Sequence, residues 1–180
     1  MLATRGWLYG TGYTLRAGIH YMRVSGYAFR LNENWLSKKK GLPMKMTATE
    51  VNDFIHSTIP MFKNAGCRVE TVAEGCITVR QPYNEGSLRA GGSISGPTMM
   101  ALADTAMYAL ILASLGPIGL AVTQNLNINF LRKPRNADLI ATARFLRLGK
   151  RAAVIDVLIH AGDDPEPVAQ ATGTYAIPAA

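Results

Sequence analysis

Gly91-Gly92-Ser93-Ile94-Ser95-Gly96-Pro97-Thr98-Met99-Met100-Ala101-Leu102-Ala103-Asp104-Thr105-Ala106 is the stretch on which the reading of this 180-residue chain turns. It joins a glycine-bearing loop to the start of a long helix. Proline suits the first helical position, because its missing N–H would have no intrahelical partner there. Met99, Leu102, Ala103, Ala106, Leu110 and Ala113 keep one apolar face through about five turns. Gly116-Pro117 stops the helix. The other faces are apolar too, so protein is expected to surround it. The run is also interrupted by Asp104 and too short for a membrane span.

On either side of this helix the pattern changes to strands. Upstream, Thr47-x-x-Glu50 has the form of a capping box. Val51, Phe54, Ile55 and Ile59 follow it at near-helical spacing until Pro60 interrupts. Cys67–Val72 and Cys76–Gln81 flank Ala73-Glu74-Gly75 as a hairpin, and residues 82–96 read as loop. Downstream, Leu120, Val122, Leu126, Ile128 and Phe130 alternate with Thr123, Asn125, Asn127 and Asn129, a strand with one polar face. Ala137–Leu148, Ala152–His160 and Val168–Ile177 read as further strands, separated by the turn sequences Gly149-Lys150-Arg151 and 162–167. Short turns imply antiparallel neighbours. The expected fold is α+β, a curved antiparallel sheet wrapped around one long central helix.

The same stretch carries the chemistry. Unpaired amides and the helix dipole at its start favour developing negative charge. Asp104 sits about two turns in, where a lone carboxylate is costly unless it is paired or faces a pocket. Burial there would raise its pKa and make it a better base than a surface Asp. One site to polarise a carbonyl and one carboxylate to activate water are enough to hydrolyse an acyl group. A carboxylate that merely bonds a neighbouring strand is the alternative.

Residues 48–178 resemble the PaaI-like branch of the hotdog-fold acyl-CoA thioesterases. The resemblance rests on Gly96–Ala106 with Leu102-Ala103-Asp104, on Ala121-Val122-Thr123 through Ile128-Asn129-Phe130-Leu131-Arg132-Lys133-Pro134, on Leu148-Gly149-Lys150-Arg151, and on Ala171-Thr172-Gly173-Thr174-Tyr175. It implies a hotdog fold and an acyl-CoA substrate, with coenzyme A part of that substrate and no separate cofactor. Asp104 takes the place of the catalytic carboxylate. Gly96 takes that of the glycine whose N–H polarises the thioester carbonyl. The site would lie at a dimer interface, so the protein is expected to be a homodimer or a dimer of dimers. Many relatives carry His-Gly-Gly where Ser95-Gly96-Pro97 stands here. Asn84 stands nearest to an Asn that precedes the loop in relatives, at a longer spacing.

Other residues have sharp and bland readings side by side. Met107 and Tyr108 lie at i+3 and i+4 from Asp104 and could wall the acyl site, or be core. Thr123 and the three asparagines could line the pocket or the dimer seam, or face solvent. Arg132, Lys150 and Arg151 could grip coenzyme A phosphates, or be solvated turn charges, as could Lys133, Arg135 and Arg89. Ser95 could bond within the loop and contact substrate. His20, His56 and His160 have no partner spacing, so no metal site is expected and each reads as a surface or strand-end residue. Cys67 and Cys76 fit free thiols in a reducing compartment, here taken as the cytoplasm.

Charge separates the two ends of the chain. Residues 1–43 hold seven Lys/Arg and one acid, so the net charge of +7 sits mostly there, and residues 44–180 are close to neutral. No nucleic-acid partner is expected, and no membrane partner for the body. Both Trp and four of the seven Tyr also fall in residues 1–43, which show no sustained helical or strand period and end in Lys38-Lys39-Lys40. They read as an extension outside the fold, either upstream sequence before a start at Met44 or Met46 or a basic arm that could tether the protein to a membrane. Residues 44–180 form the hotdog domain. A non-catalytic acyl-CoA binding or sensing protein is the rival reading.

Overall fold

The computed structural model describes residues 11–16, 19–24, 27–31 and 44–179. The chain divides into two compact units, Met1–Gly41 and Leu42–Ala180. In the first, β1 (Thr11–Arg16), β2 (Ile19–Val24) and β3 (Tyr27–Leu31) form an antiparallel three-stranded sheet in that order. The absence of a sustained strand period in this segment does not keep it from forming strands. Its runs of five or six residues are rich in Tyr, Ile, Val and Phe, but too short to display an alternation. The Lys38-Lys39-Lys40 run lies outside the described residues.

The second unit begins with α1 (Ala48–Thr58), closed by the expected capping box. The Thr47 N–H donates to Glu50 Oε2 at 2.7 Å, and the Glu50 N–H to Thr47 Oγ1 at 3.3 Å. Ile59 is forced into an extended conformation before proline, and Pro60 then opens the one-turn helix α2 (Pro60–Asn64). Asn52 on α1 pairs with the backbone of Val69 in both directions, at 2.7 and 3.0 Å. A side-chain amide thus partly satisfies the edge of the sheet.

That sheet has six antiparallel strands in the order β4-β5-β9-β10-β11-β8. They are β4 (Arg68–Ala73), β5 (Cys76–Gln81), β8 (Val122–Phe130), β9 (Leu139–Leu148), β10 (Ala152–Ala161) and β11 (Ala169–Ala176). The long helix α3 (Gly96–Leu115) lies in its concave face. Residues 106–113 are buried without interruption, against Ile77, Val79, Phe145, Ile155, Val157 and Ala171 among others. This is the α+β hotdog arrangement that the resemblance implied. The segment expected to be loop contains a 3-10 turn, Glu85–Ser87, capped by the Asn84 side chain, and the short ribbon β6 (Leu88–Arg89) with β7 (Ser93–Ile94).

Two details of the sheet set up the site. The pairing of β11 with β8 slips between Thr174 and Tyr175: Thr174 faces Asn125, whereas Tyr175 faces Thr123. Gln124 is therefore the extra residue of a β-bulge, and side chains on either side of it change face. Beneath the next row, Gly173 admits the helix. A Cβ there would meet Met107 Sδ at 2.5 Å and the Asn125 carbonyl oxygen at 2.9 Å.

Candidate active site

Asp104 stands on the α3 face nearest the ends of β8 and β11. Two hydroxyls converge on one of its oxygens. Thr123 Oγ1 and Tyr175 Oη each donate to Asp104 Oδ1 at 2.7 Å. Tyr175 Oη also lies 3.1 Å from the Asp104 carbonyl oxygen. Oδ2 meets no donor among the described residues. Asp104 is half-buried and paired, and its carboxylate lies at the rim of the sheet. Tyr175 is only 3% exposed. Burial, and then the negative charge of Asp104, push its phenol well above the usual tyrosine range, so it stays a donor. Tyr108 stacks on it with ring centroids 6.3 Å apart.

The bulge explains why Thr123 is present. Leu126 and Ile128 pack toward the core, while Asn125, Asn127 and Asn129 are exposed. Strict alternation would place Thr123 with the asparagines, as the sequence reading did. The extra residue at Gln124 turns it onto the helix side instead. Asn129 faces the other way, donating to Gln170 Oε1 at 3.1 Å.

The start of α3 forms a second centre. Ser95 is its N-cap: the Thr98 N–H donates to Ser95 Oγ at 3.3 Å, and the two hydroxyls lie 2.8 Å apart. The Met99 N–H reaches the Ser95 carbonyl. Pro97 has no N–H. The expected collection of unpaired amides therefore reduces to one, the Gly96 N–H, which meets no acceptor among the described residues. The Phe130 ring flanks it, within 3.0 Å of where a Gly96 Cβ would lie.

Gly96 and Asp104 are eight residues apart on one helix, about 12 Å along its axis. One chain does not bring them onto a single carbonyl. The basic residues also divide. Lys150 and Arg151 are exposed at the turn into β10, where the Arg151 carbonyl accepts from the Ile177 N–H, two residues beyond Tyr175. They share the Asp104 end of the sheet. Arg132 lies at the Gly96 end and is tied to the turn before β11, donating to the Glu166 carbonyl and pairing with Asp164, both at 2.8 Å.

The fold places three further side chains that the sequence left with two readings. Met107 is fully buried against Gly173, the core position of its two readings. Tyr108 is mostly buried and reaches the site through Tyr175. His160 is next to last in β10, the strand-end position of its two readings, and is 4% exposed because β10 runs through the middle of the sheet. His56 Nε2 lies 2.9 Å from the Cys67 carbonyl. Cys67 and Cys76 are buried free thiols whose pKa values burial pushes up to about 12. Among the described residues, no group of three His, Cys, Asp or Glu could hold a metal ion.

Sequence reasoning missed Tyr175 and Phe130 as site residues. The available signal for Tyr175 was a tyrosine on the inward row of a strand, whose hydroxyl needs a partner.

Comparison with known proteins places this geometry in context. The profile of the Thioesterase superfamily matches residues 91–168. A protein of Thermoplasma acidophilum, named by inference as an esterase, is 30% identical over 115 residues, 64% of this chain and 86% of its own. A solved structure from Silicibacter sp. TM1040, assigned by inference as a thioesterase, is 39% identical with a TM-score of 0.71, covering 77% of this chain and 96% of that one. Zebrafish thioesterase superfamily member 2 shares the fold at 21% identity and a TM-score of 0.66, over 74% of this chain and 100% of its own.

Proposed function

This chain belongs to the thioesterase superfamily, and from that premise we propose that it hydrolyses acyl-CoA thioesters at a site shared by two copies. Hydrolysis of ester or thioester bonds is the family's chemistry. The finer reading rests on one observation: Asp104 has one oxygen held by two hydroxyls and the other without a donor among the described residues.

In this reading that second oxygen of Asp104 takes a proton from water. The hydroxide oxygen attacks the thioester carbonyl, whose developing negative charge falls on the Gly96 N–H of the partner subunit. The carbon–sulfur bond breaks and coenzyme A leaves as a thiolate, which receives the proton from Asp104. The 12 Å between Gly96 and Asp104 on one helix is the reason for a second copy. The free edge strand β8 supports one, with Val122 and Phe130 exposed on it and Leu131 exposed just beyond. Lys150 and Arg151, at the Asp104 end, suit the phosphates of coenzyme A, and Tyr108 suits the acyl wall. The two unpaired cysteines fit action in the cytoplasm.

A release assay for free thiol over aromatic and short- to medium-chain acyl-CoAs tests this. Asp104→Asn is expected to keep the fold and lower turnover at least ~1,000-fold. Near wild-type turnover by that variant rejects the mechanism. One observation favours the rival of a non-catalytic acyl-CoA binder: Ser95, where relatives carry His, is engaged in capping. Thermal stabilisation by acyl-CoA with no thiol release would establish it.

A further inference from the structure

We infer that Tyr175 and Thr123 are positioning residues, which clamp one oxygen of Asp104 so that the other is held toward the attacking water. This rests on the hydrolytic reading above and assigns it two further residues. Three independent features converge on the clamp. The donors come from different strands, β11 and β8, yet meet at the same atom, Oδ1, each at 2.7 Å. Thr123, itself solvent-exposed, reaches that atom because the bulge at Gln124 turns it onto the helix side, and bulges often re-aim side chains beside active sites. Tyr175 is buried and stacked on Tyr108, so its hydroxyl has little freedom to leave.

The physical need is orientational. The terminal torsion of an Asp side chain is broad and nearly two-fold, so an unclamped carboxylate samples many directions. A general base must lie within hydrogen-bond reach of the proton it takes. Two donors on Oδ1 remove the torsional freedom and leave Oδ2 as the basic atom with a fixed direction. The contact between Tyr175 Oη and the Asp104 carbonyl oxygen, at 3.1 Å, ties the same hydroxyl to the helix backbone. The clamp thereby references the carboxylate to α3 itself. Neither hydroxyl contacts the thioester in this assignment, which separates Thr123 from the substrate-binding role expected from sequence. The titratable groups bearing on Tyr175 are Asp104 and Tyr108.

The test uses the full chain, with Tyr175→Phe, Thr123→Val and Thr123→Ser. Loss of either hydroxyl is expected to lower kcat about 10- to 100-fold with KM changed less than about twofold. Thr123→Ser, which keeps the donor, should recover most of what Thr123→Val loses. Wild-type kcat in Tyr175→Phe overturns the proposal, as does a raised KM at unchanged kcat, which would make Tyr175 a substrate contact. A second readout is independent of turnover. The melting-temperature losses of Tyr175→Phe and Asp104→Asn should be less than additive in the double variant, because the two groups share one contact. Additive losses overturn the clamp. If no thioester is hydrolysed by the wild-type chain, the hydrolytic reading fails, and this cycle alone decides whether Tyr175 holds Asp104.

Discussion

The Phe130 ring lies against Gly96 so closely that a Cβ added there would meet Cζ at 3.0 Å and two further ring atoms at 3.5 Å. The residue that ends β8 therefore sets the side chain that the start of α3 can carry. Gly96 sits in an ordinary backbone conformation, so its requirement is one of space and not of φ. Gly96→Ala should push the ring aside, disturb the lone free amide and lower kcat/KM about tenfold. Adding Phe130→Ala removes the obstruction and should return several-fold of that loss. A double variant no better than Gly96→Ala would show that the ring is not the constraint. Kinetics on the best acyl-CoA substrate, with a melting curve as a fold control, decide it.

Gly96 and Asp104 lie about 12 Å apart along the same helix, so a shared site has a consequence that mixing can reveal. Asp104→Asn and a second variant blocked at Gly96 by a large side chain should each be inactive. When the two are unfolded and refolded together, half of the dimers are hybrids. Each hybrid carries one site with both lesions and one with neither. About a quarter of wild-type turnover should return. A site built within one chain would give none.

Much of this was legible before any coordinates. The helix start at Gly96-Pro97, the intrusive carboxylate of Asp104 and the strand order along the chain all follow from local rules of capping and period. The clamp on Asp104 did not. A bulge at Gln124 is a property of how β8 pairs with β11, so the period-two pattern placed Thr123 on the wrong face. The choice between core and site wall at Met107 is left open by the sequence for a related reason. Spacing along a helix says which residues neighbour Asp104, but a missing side chain at Gly173 decides which of them sinks into the sheet. The strands β1 to β3 escaped because each is too short to show a period.

His160 makes stability depend on pH. Burial lowers its pKa below the usual histidine value, opposed by Asp164 and Glu166 and aided by Arg132. The folded chain therefore binds its proton less readily than the unfolded chain. As the pH falls through 6.5 and below, the unfolded state takes up that proton first and stability is lost. Between pH 7 and 5 the melting temperature should fall more steeply in the wild-type chain than in His160→Gln, by on the order of a few °C. Parallel slopes would show that the imidazole takes up its proton alike in the folded and unfolded states. The comparison is of slopes, because the substitution also changes a buried contact.

The boundary of the catalytic unit follows from what Met44, Lys45 and Met46 do. The N–H groups of Lys45 and Met46 both donate to the Ala113 carbonyl, at 2.7 and 3.1 Å. That carbonyl belongs to the last turn of α3, where acceptors have no intrahelical donor. Met44 Sδ accepts from Ser114 Oγ at 3.6 Å, and both methionines pack against the core. A chain starting at Met44 keeps all of these contacts; one starting at Met46 loses Met44, Lys45 and the amide geometry at its own first residue. The Met44 chain is expected to fold and to turn over acyl-CoA within about twofold of the full chain, and the Met46 chain to melt several degrees lower, roughly the effect of losing one or two such contacts. Melting curves and thiol release on the three chains measure both. Loss of turnover in the Met44 chain would place residues 1–43 within the working enzyme and refute the boundary.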